Sequence, residues 1–433
     1  MKYYSTNRQV PPATLRDAVI KGLAGDGGLY MPERIPQFGK DFFAALRRKT
    51  FRETALDVAV AFFGEDVPAS SLHDIVCDAL NFEIPLVQVT GNCYSLELFH
   101  GPTMAFKDVG ARFLARMMQY FTRCEKFATN VLVATSGDTG SAVANGFLGM
   151  EGITVTVLYP RGRVSKIQEA QFATLGQNVQ ALEVNGTFDD CQRLVKQAFS
   201  DRELNAQRRL TSANSINLAR FLPQTFYYFR GWAQMPQGSE VAVGVPSGNL
   251  GNLAAGLLAK RTGLPVKHFI AANNANNVFS EYLHTAAFTP RPGIATIANA
   301  MDVGNPSNFA RIMDLYGNDH ARIAADVSGC SYSDAQISGT LQHVFEETKY
   351  LLDPHGACAC EALRDYLSRN GKACGFFLET AHPAKFKETV DAIPGIAVSV
   401  PEKLQAFMRG HKQTAGISSR YEDFRAFLLD RQR

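Results

Sequence analysis

From about residue 85 onward, short apolar runs alternate with longer stretches of helical periodicity. The runs lie at 131–135 (VLVAT), 153–158 (ITVTVL), 179–184 (VQALEV), 241–246 (VAVGVP), 267–271 (KHFIA), 374–379 (CGFFLE) and 396–400 (IAVSV). Most are continuous rather than alternating, the pattern of strands buried on both faces. Strand, helix, strand in repetition predicts an α/β fold of open parallel sheets covered by helices. Ligands of such folds sit beyond the carboxyl ends of strands. The loops after 135, after 246 and after 379 are therefore the ones to read.

Before residue 85 the pattern is helical. Thr14 with Asp17 three residues later marks a helix start. The stretch from Ala24 to Tyr30 (AGDGGLY) marks a tight turn, and Ile84-Pro85-Leu86-Val87 closes the region.

The 433 residues suit two or three domains, at roughly 150 residues each. Forty-four basic against 41 acidic residues leave +3, too little to imply a nucleic-acid partner. No window of eighteen apolar residues predicts a membrane span. Met1 to Asn7 has no apolar run of a signal peptide, and no chloroplast-type leader is read, so the expectation is a cytoplasmic setting. Eight cysteines, at 77, 93, 124, 191, 330, 358, 360 and 374, follow no fixed spacing and read as reduced thiols. His355, Cys358 and Cys360 could be weighed as metal ligands. No partner Cys-x-x-Cys follows, so small buried thiols are expected and no metal. Nothing in the sequence sets an oligomeric state.

Three segments carry candidate chemistry. After the run at 131–135 come Thr135-Ser136-Gly137-Asp138-Thr139-Gly140-Ser141, hydroxyls and glycines at a helix start. Free backbone N–H groups and the positive dipole end make this an anion site, or simply a capped helix. After 241–246 come Ser247-Gly248-Asn249-Leu250-Gly251-Asn252, a phosphate cradle of neither the Walker nor the GxGxxG type. His100-Gly101-Pro102-Thr103-Met104-Ala105-Phe106-Lys107-Asp108 places a lysine in a first helical turn. A cation gains nothing from the dipole there. The dipole would instead help keep the amine neutral, as a Schiff-base lysine requires.

These segments, in this order, resemble the threonine synthases. His100–Asp108 resembles their cofactor-lysine motif, 134–140 their substrate loop and 247–252 their cofactor-phosphate loop. Thr14–Pro32, Asp353-Pro354-His355-Gly356 and Glu379–Phe386 (ETAHPAKF) resemble the longer bacterial and fungal branch. The family is related to the tryptophan synthase β subunit, and the resemblance implies pyridoxal 5'-phosphate (PLP) as cofactor. It implies that Lys107 bears the PLP and acts as catalytic base. It assigns Ser247, Gly248, Asn249, Gly251 and Asn252 to the PLP phosphate, and Thr380 to the pyridine nitrogen. Ser136, Gly137 and Thr139 would hold the substrate carboxylate. Asn214, Ser215 and Arg220 would hold the substrate phosphate, a task that suits a guanidinium beside amide and hydroxyl donors. Asp138 would face the cofactor's phenolic oxygen, where an anion is unfavourable unless a proton is shared.

The implied reaction takes O-phospho-L-homoserine and water to L-threonine and phosphate by β,γ-elimination and water addition. The alternative is a serine/threonine dehydratase or phospho-amino-acid lyase on the same fold. A non-catalytic descendant is a third class, opposed by Lys107, Thr380 and Arg220 occurring together. The expected organisation is an N-terminal helical region (1–92), a large cofactor domain (93–124 with 223–433) and a small mobile substrate domain (125–222).

Overall fold

The computed structural model describes residues 1–123 and 128–430. Cys124 and the expected boundary between 124 and 125 lie outside the described residues. The N-terminal region is a helical layer clasped by a two-stranded antiparallel ribbon, Tyr3–Ser5 with Tyr30–Pro32. Thr14 caps the helix Leu15–Lys21 by accepting from the Asp17 N–H at 3.1 Å. Thr50 and Glu53 close a capping box at the head of Phe51–Phe63, whose Phe51, Ala55, Val58, Ala59, Phe62 and Phe63 point into the core.

Two sheets follow. The larger has six strands in the order Val327–Ser331, Val266–Asn273, Glu240–Pro246, Ala373–Glu379, Cys93–Glu97, Leu86–Thr90. All its pairings are parallel except the last, a hairpin. The smaller has five parallel strands in the order Thr414–Ser418, Val179–Asn185, Ile153–Pro160, Thr129–Ala134, Arg209–Ser212. The central strands are buried on both faces, which is why their sequences run apolar without alternation.

Three expectations are corrected. Residues 396–400 form no strand. Ile396 and Val398 are buried, but the Val398 N–H donates to Asp391 Oδ1 and the Lys387 ammonium donates to the Val398 carbonyl. Side chains, not a ladder, satisfy that backbone. Residues 414–430 do not join the larger sheet. Thr414–Ser418 extends the smaller one, and Phe424 and Leu428 of the helix Tyr421–Asp430 pack with Leu182, Val184 and Leu194. Leu86–Thr90, expected within the N-terminal region, is the hairpin edge of the larger sheet.

Candidate active site

The turns ahead of Lys107 are built around a buried carboxylate. Asp108 accepts from the Thr103 N–H (2.9 Å) and the Thr103 hydroxyl (2.7 Å). Burial pushes its pKa up, and the two Thr103 donors pull against that. A Cβ on Gly101 would sit 2.4 Å from Asp108 Oδ2, so this turn requires glycine. The chain then pairs with the loop that follows Glu379. Ala105 bridges Ala381, the Phe106 N–H donates to the Thr380 carbonyl (2.8 Å), and the His382 N–H donates to the Met104 carbonyl (3.1 Å).

Lys107 opens the helix Lys107–Thr122, as its position in the sequence predicts. Its Nζ lies 3.8 Å from Asp138 Oδ2. Burial lowers the lysine's pKa; Asp138 opposes this, while Arg220 and Lys385 add to it. A depressed amine is what imine chemistry needs.

Asp138 begins the helix Asp138–Phe147 at the carboxyl end of Thr129–Ala134. Burial alone would raise its pKa, but Lys385 and Lys107 with the Gln168 amide outweigh burial and hold the carboxylate ionised. The loop itself is organised by Thr135, whose hydroxyl oxygen accepts from the N–H groups of Gly137 (2.9 Å) and Gly140 (2.8 Å). Gly137 has φ 146°, and a Cβ there would meet Gln168 Oε1 at 2.5 Å. Among the described residues, the N–H groups of Ser136, Asp138 and Thr139 have no protein acceptor. They are the donors that a helix start leaves over for an anion or for water.

The second cradle spans Ser247 to Asn252 between the strand Glu240–Pro246 and the helix Gly251–Arg261. Leu250 is left-handed (φ 58°), and a Cβ on Gly248 would press on Met301 Cα at 2.8 Å. The asparagines turn away from the loop's mouth. Asn249 Nδ2 donates to Ser215 Oγ (2.7 Å), and Asn252 Nδ2 donates to the Pro246 carbonyl (2.8 Å). The N–H groups of Gly248, Asn249, Leu250 and Gly251 have no acceptor among the described residues. What this loop offers a phosphate is mainly backbone.

Arg220 is buried, and its Nη1 donates to the Ala213 carbonyl. Burial presses its pKa down to about 10, partly countered by Asp108. No carboxylate among the described residues forms an ion pair with it. It backs onto the helix Lys107–Thr122, where a Cβ on Gly110 would lie 2.9 Å from Arg220 Cγ. Ser215 joins this site to the 247–252 loop through Asn249. Asn214 contributes its N–H to Ser212 Oγ (3.3 Å). Behind them stands Arg311, which sequence reading missed. It is fully buried, and it donates to the carbonyls of Ser215 (3.1 Å), Ile216 (2.8 Å) and Tyr30 (3.3 Å) and to Asn308 Oδ1 (2.7 Å).

Thr380 is 6% exposed, and its hydroxyl bonds no described residue. Its loop hangs from Asp353, which caps the helix Pro354–Arg369 and whose Oδ2 accepts from the Ala381 N–H at 3.1 Å. Asp353 Oδ1 also takes His355 Nδ1 at 2.6 Å, and His355 Nε2 accepts from the Ala300 N–H. His355 is thus spent on structure. Cys358 and Cys360 are buried thiols, and no metal-competent cluster occurs among the described residues. No described helix is long and apolar enough to cross a membrane.

These residues fit PLP: a half-buried lysine with depressed basicity, a backbone phosphate cradle with no room for a Cβ at Gly248, and a buried hydroxyl without a partner among the described residues beyond the strand Ala373–Glu379. Three family models match the chain in succession. Residues 2–80 match a model described as threonine synthase N terminus, 85–375 one described as pyridoxal-phosphate dependent enzyme, and 356–428 one described as threonine synthase, C-terminal. The chain belongs to the threonine synthases. Its cofactor is PLP. A threonine synthase of Haemophilus influenzae is 42% identical over 431 residues, covering 99% of this chain and 100% of that one. The crystal structure of the Escherichia coli threonine synthase superposes with a TM-score of 0.92 at 40% identity, covering all of both chains. A PLP-bound threonine synthase from Brucella melitensis gives 0.93 at 36% identity, covering 99% of this chain and 98% of that one.

Within this threonine synthase fold, the predicted residues Lys107, Asp138, Arg220 and Thr380 lie on converging segments. Lys385, Gln168, Thr135, Asn308 and Arg311 were not singled out. Thr135 and Lys385 stood inside quoted motifs, and nothing in the sequence marks the Lys385 side chain as buried.

Proposed function

We propose that the chain converts O-phospho-L-homoserine and water to L-threonine and phosphate. The observation that carries this reading is Arg220, a buried guanidinium with no carboxylate partner among the described residues, backed against the Lys107 helix. The N–H groups of Ser136, Asp138 and Thr139, without an acceptor among the described residues, supply a second anion site. Two anion sites flanking one reactive lysine suit a substrate charged at both ends.

When bound, PLP supplies the electron sink for a carbanion at the substrate Cα. Lys107 holds it and moves protons at Cα and Cβ. The backbone of 247–252 takes the cofactor phosphate. The Thr380 hydroxyl meets the pyridine nitrogen. Ser136, Gly137 and Thr139 bind the substrate carboxylate. Arg220, with Ser215 and Asn214, binds the phosphate and stabilises its charge as it leaves Cγ. Arg311 and Asn308 keep that loop in place. The dehydratase reading is not favoured, because serine or threonine would leave the Arg220 site unpaired, at about 1–3 kcal/mol per buried group.

The test is product analysis. O-phosphohomoserine should yield phosphate and threonine in equal amounts, and threonine alone should yield little 2-oxobutyrate. If 2-oxobutyrate dominates from both, the assignment of Arg220 falls. Cytoplasmic residence is part of the same proposal, and cell fractionation checks it.

A further inference from the structure

Lys385 sits on the short turn Pro383–Phe386 with its side chain wholly buried. A buried ammonium is costly unless it is paired and hydrogen-bonded. Its Nζ donates to Asp138 Oδ1 and to the Thr103 carbonyl, both at 2.8 Å. These partners come from different places. Asp138 opens a helix of the smaller sheet, whereas Thr103 belongs to the turn that Asp108 locks ahead of Lys107. Gln168 Nε2 also donates to Asp138 Oδ1 at 2.8 Å. The helix bearing Gln168 is capped by Ser165, whose hydroxyl in turn donates to the Lys385 carbonyl at 3.3 Å.

One oxygen of Asp138 is therefore filled by two donors. The other, Oδ2, faces Lys107 Nζ at 3.8 Å and has no hydrogen-bond donor among the described residues. A carboxylate held this way is a one-sided acceptor. Its charge is balanced from behind, and its free oxygen is aimed at the reactive nitrogen.

We propose that Lys385 is a positioning residue that holds Asp138 ionised and oriented, so that Asp138 Oδ2 sets the protonation of the nitrogen at Lys107 and of the cofactor's phenolic oxygen beside it. The proposal rests on the reading that Lys107 carries PLP. It removes the difficulty of an anion beside a phenolic oxygen, because Lys385 makes the pair neutral without a shared proton. The charged groups facing Lys107 are Asp138, Arg220, Lys385 and Asp353. Of these, Lys385 is the one that also bonds the carboxylate.

The sign follows from charge. Removing a cation, and freeing Asp138 to pair wholly with the protonated nitrogen, favours proton binding there. In Lys385→Met holoenzyme the pH midpoint of the visible cofactor absorbance should move upward by about one unit or more. In an Asp138→Asn background the same substitution should shift the midpoint by less than half as much. If Lys385→Met does not accumulate as soluble protein, Lys385→Gln, which keeps one donor for Thr103, carries the same two expectations. Borohydride reduction and peptide mapping are run on each sample. With the label on Lys107, an unmoved midpoint, or an equal shift in both backgrounds, overturns the role of Lys385 and leaves the cofactor lysine standing. A label on another lysine overturns the reading of Lys107 itself. A merely structural lysine would lower melting temperature and cofactor occupancy without moving the midpoint.

Discussion

The Phe106 N–H donates to the Thr380 carbonyl over 2.8 Å, tying the residue before the proposed cofactor lysine, Lys107, to the residue proposed for the pyridine nitrogen. The Ala105–Ala381 bridge extends this pairing. These contacts fix the Thr380 loop to the Lys107 turn, so on the proposed assignment a change at Thr380 should be read at the cofactor. A neutral hydroxyl leaves the pyridine nitrogen largely unprotonated, whereas a carboxylate favours its protonation. Thr380→Asp should alter the visible spectrum of the bound cofactor and raise the share of side products. An identical spectrum and product ratio would remove Thr380 from the cofactor.

Arg220→Ala should lower kcat/KM for O-phosphohomoserine at least tenfold. A charge-assisted hydrogen bond contributes about 1.5–3 kcal/mol. PLP content should stay at the parent level, since the cofactor phosphate is assigned to the 247–252 loop. Steady-state kinetics with absorbance-based PLP counting checks both halves.

Gly356 has no room for a side chain. A Cβ there would lie 1.6 Å from Glu379 Oε2, an oxygen without a hydrogen-bond partner among the described residues. Burial, with Asp353 adding to it, pushes the Glu379 pKa well up, and the side chain is packed against the helix start. Gly356→Ala should destabilise the protein by about 1–3 kcal/mol, read as a lower urea midpoint. The Asp353–Ala381 tether should loosen with it, so cofactor should be lost at a lower temperature.

His382 makes stability depend on pH. Burial pushes its pKa down to about 4, against the pull of Glu97, and its Nδ1 accepts from the Ala384 N–H. Between about 6.5 and 4 the unfolded chain binds this proton and the folded chain does not, so stability falls as pH drops through that window. The slope from this one group is at most about 1.36 kcal/mol per pH unit, and less where the ring meets solvent. His382→Asn, which keeps a side-chain acceptor at that position, should flatten the curve by that amount in urea titrations at pH 4.5 and 6.5.

The sheets were legible where burial on both faces leaves a continuous apolar run, as at Val155–Leu158 or Val241–Val245. Strands at sheet edges, and the strand beside the hairpin edge of the larger sheet, were not. Cys93-Tyr94-Ser95-Leu96-Glu97 mixes polar and apolar positions, and its hairpin neighbour is half-buried. Ile396-Ala397-Val398-Ser399-Val400 reads as a strand because it is apolar, yet Asp391 and Lys387 take its hydrogen bonds. At the site, Lys107, Asp138 and Arg220 stand in motifs whose spacing carries meaning. Lys385 and Arg311 do not, because burial of a cation is a property of what surrounds it. Arg311 reads in the sequence as one basic residue on a short helix, and only the fold turns it toward Ser215 and Ile216.

The order in which the five strands of the smaller sheet are made differs from the order in which they lie. Val179–Asn185 receives its outer neighbour, Thr414–Ser418, only after more than half of the chain has followed it off the ribosome. Throughout that interval it stands as an open edge, its N–H and C=O groups a template for any other extended segment. Synthesis therefore has a vulnerable period for this protein, which ends when Thr414–Ser418 docks. A chain cut before residue 414 would keep the residues assigned to catalysis and yet carry a permanent invitation to aggregate.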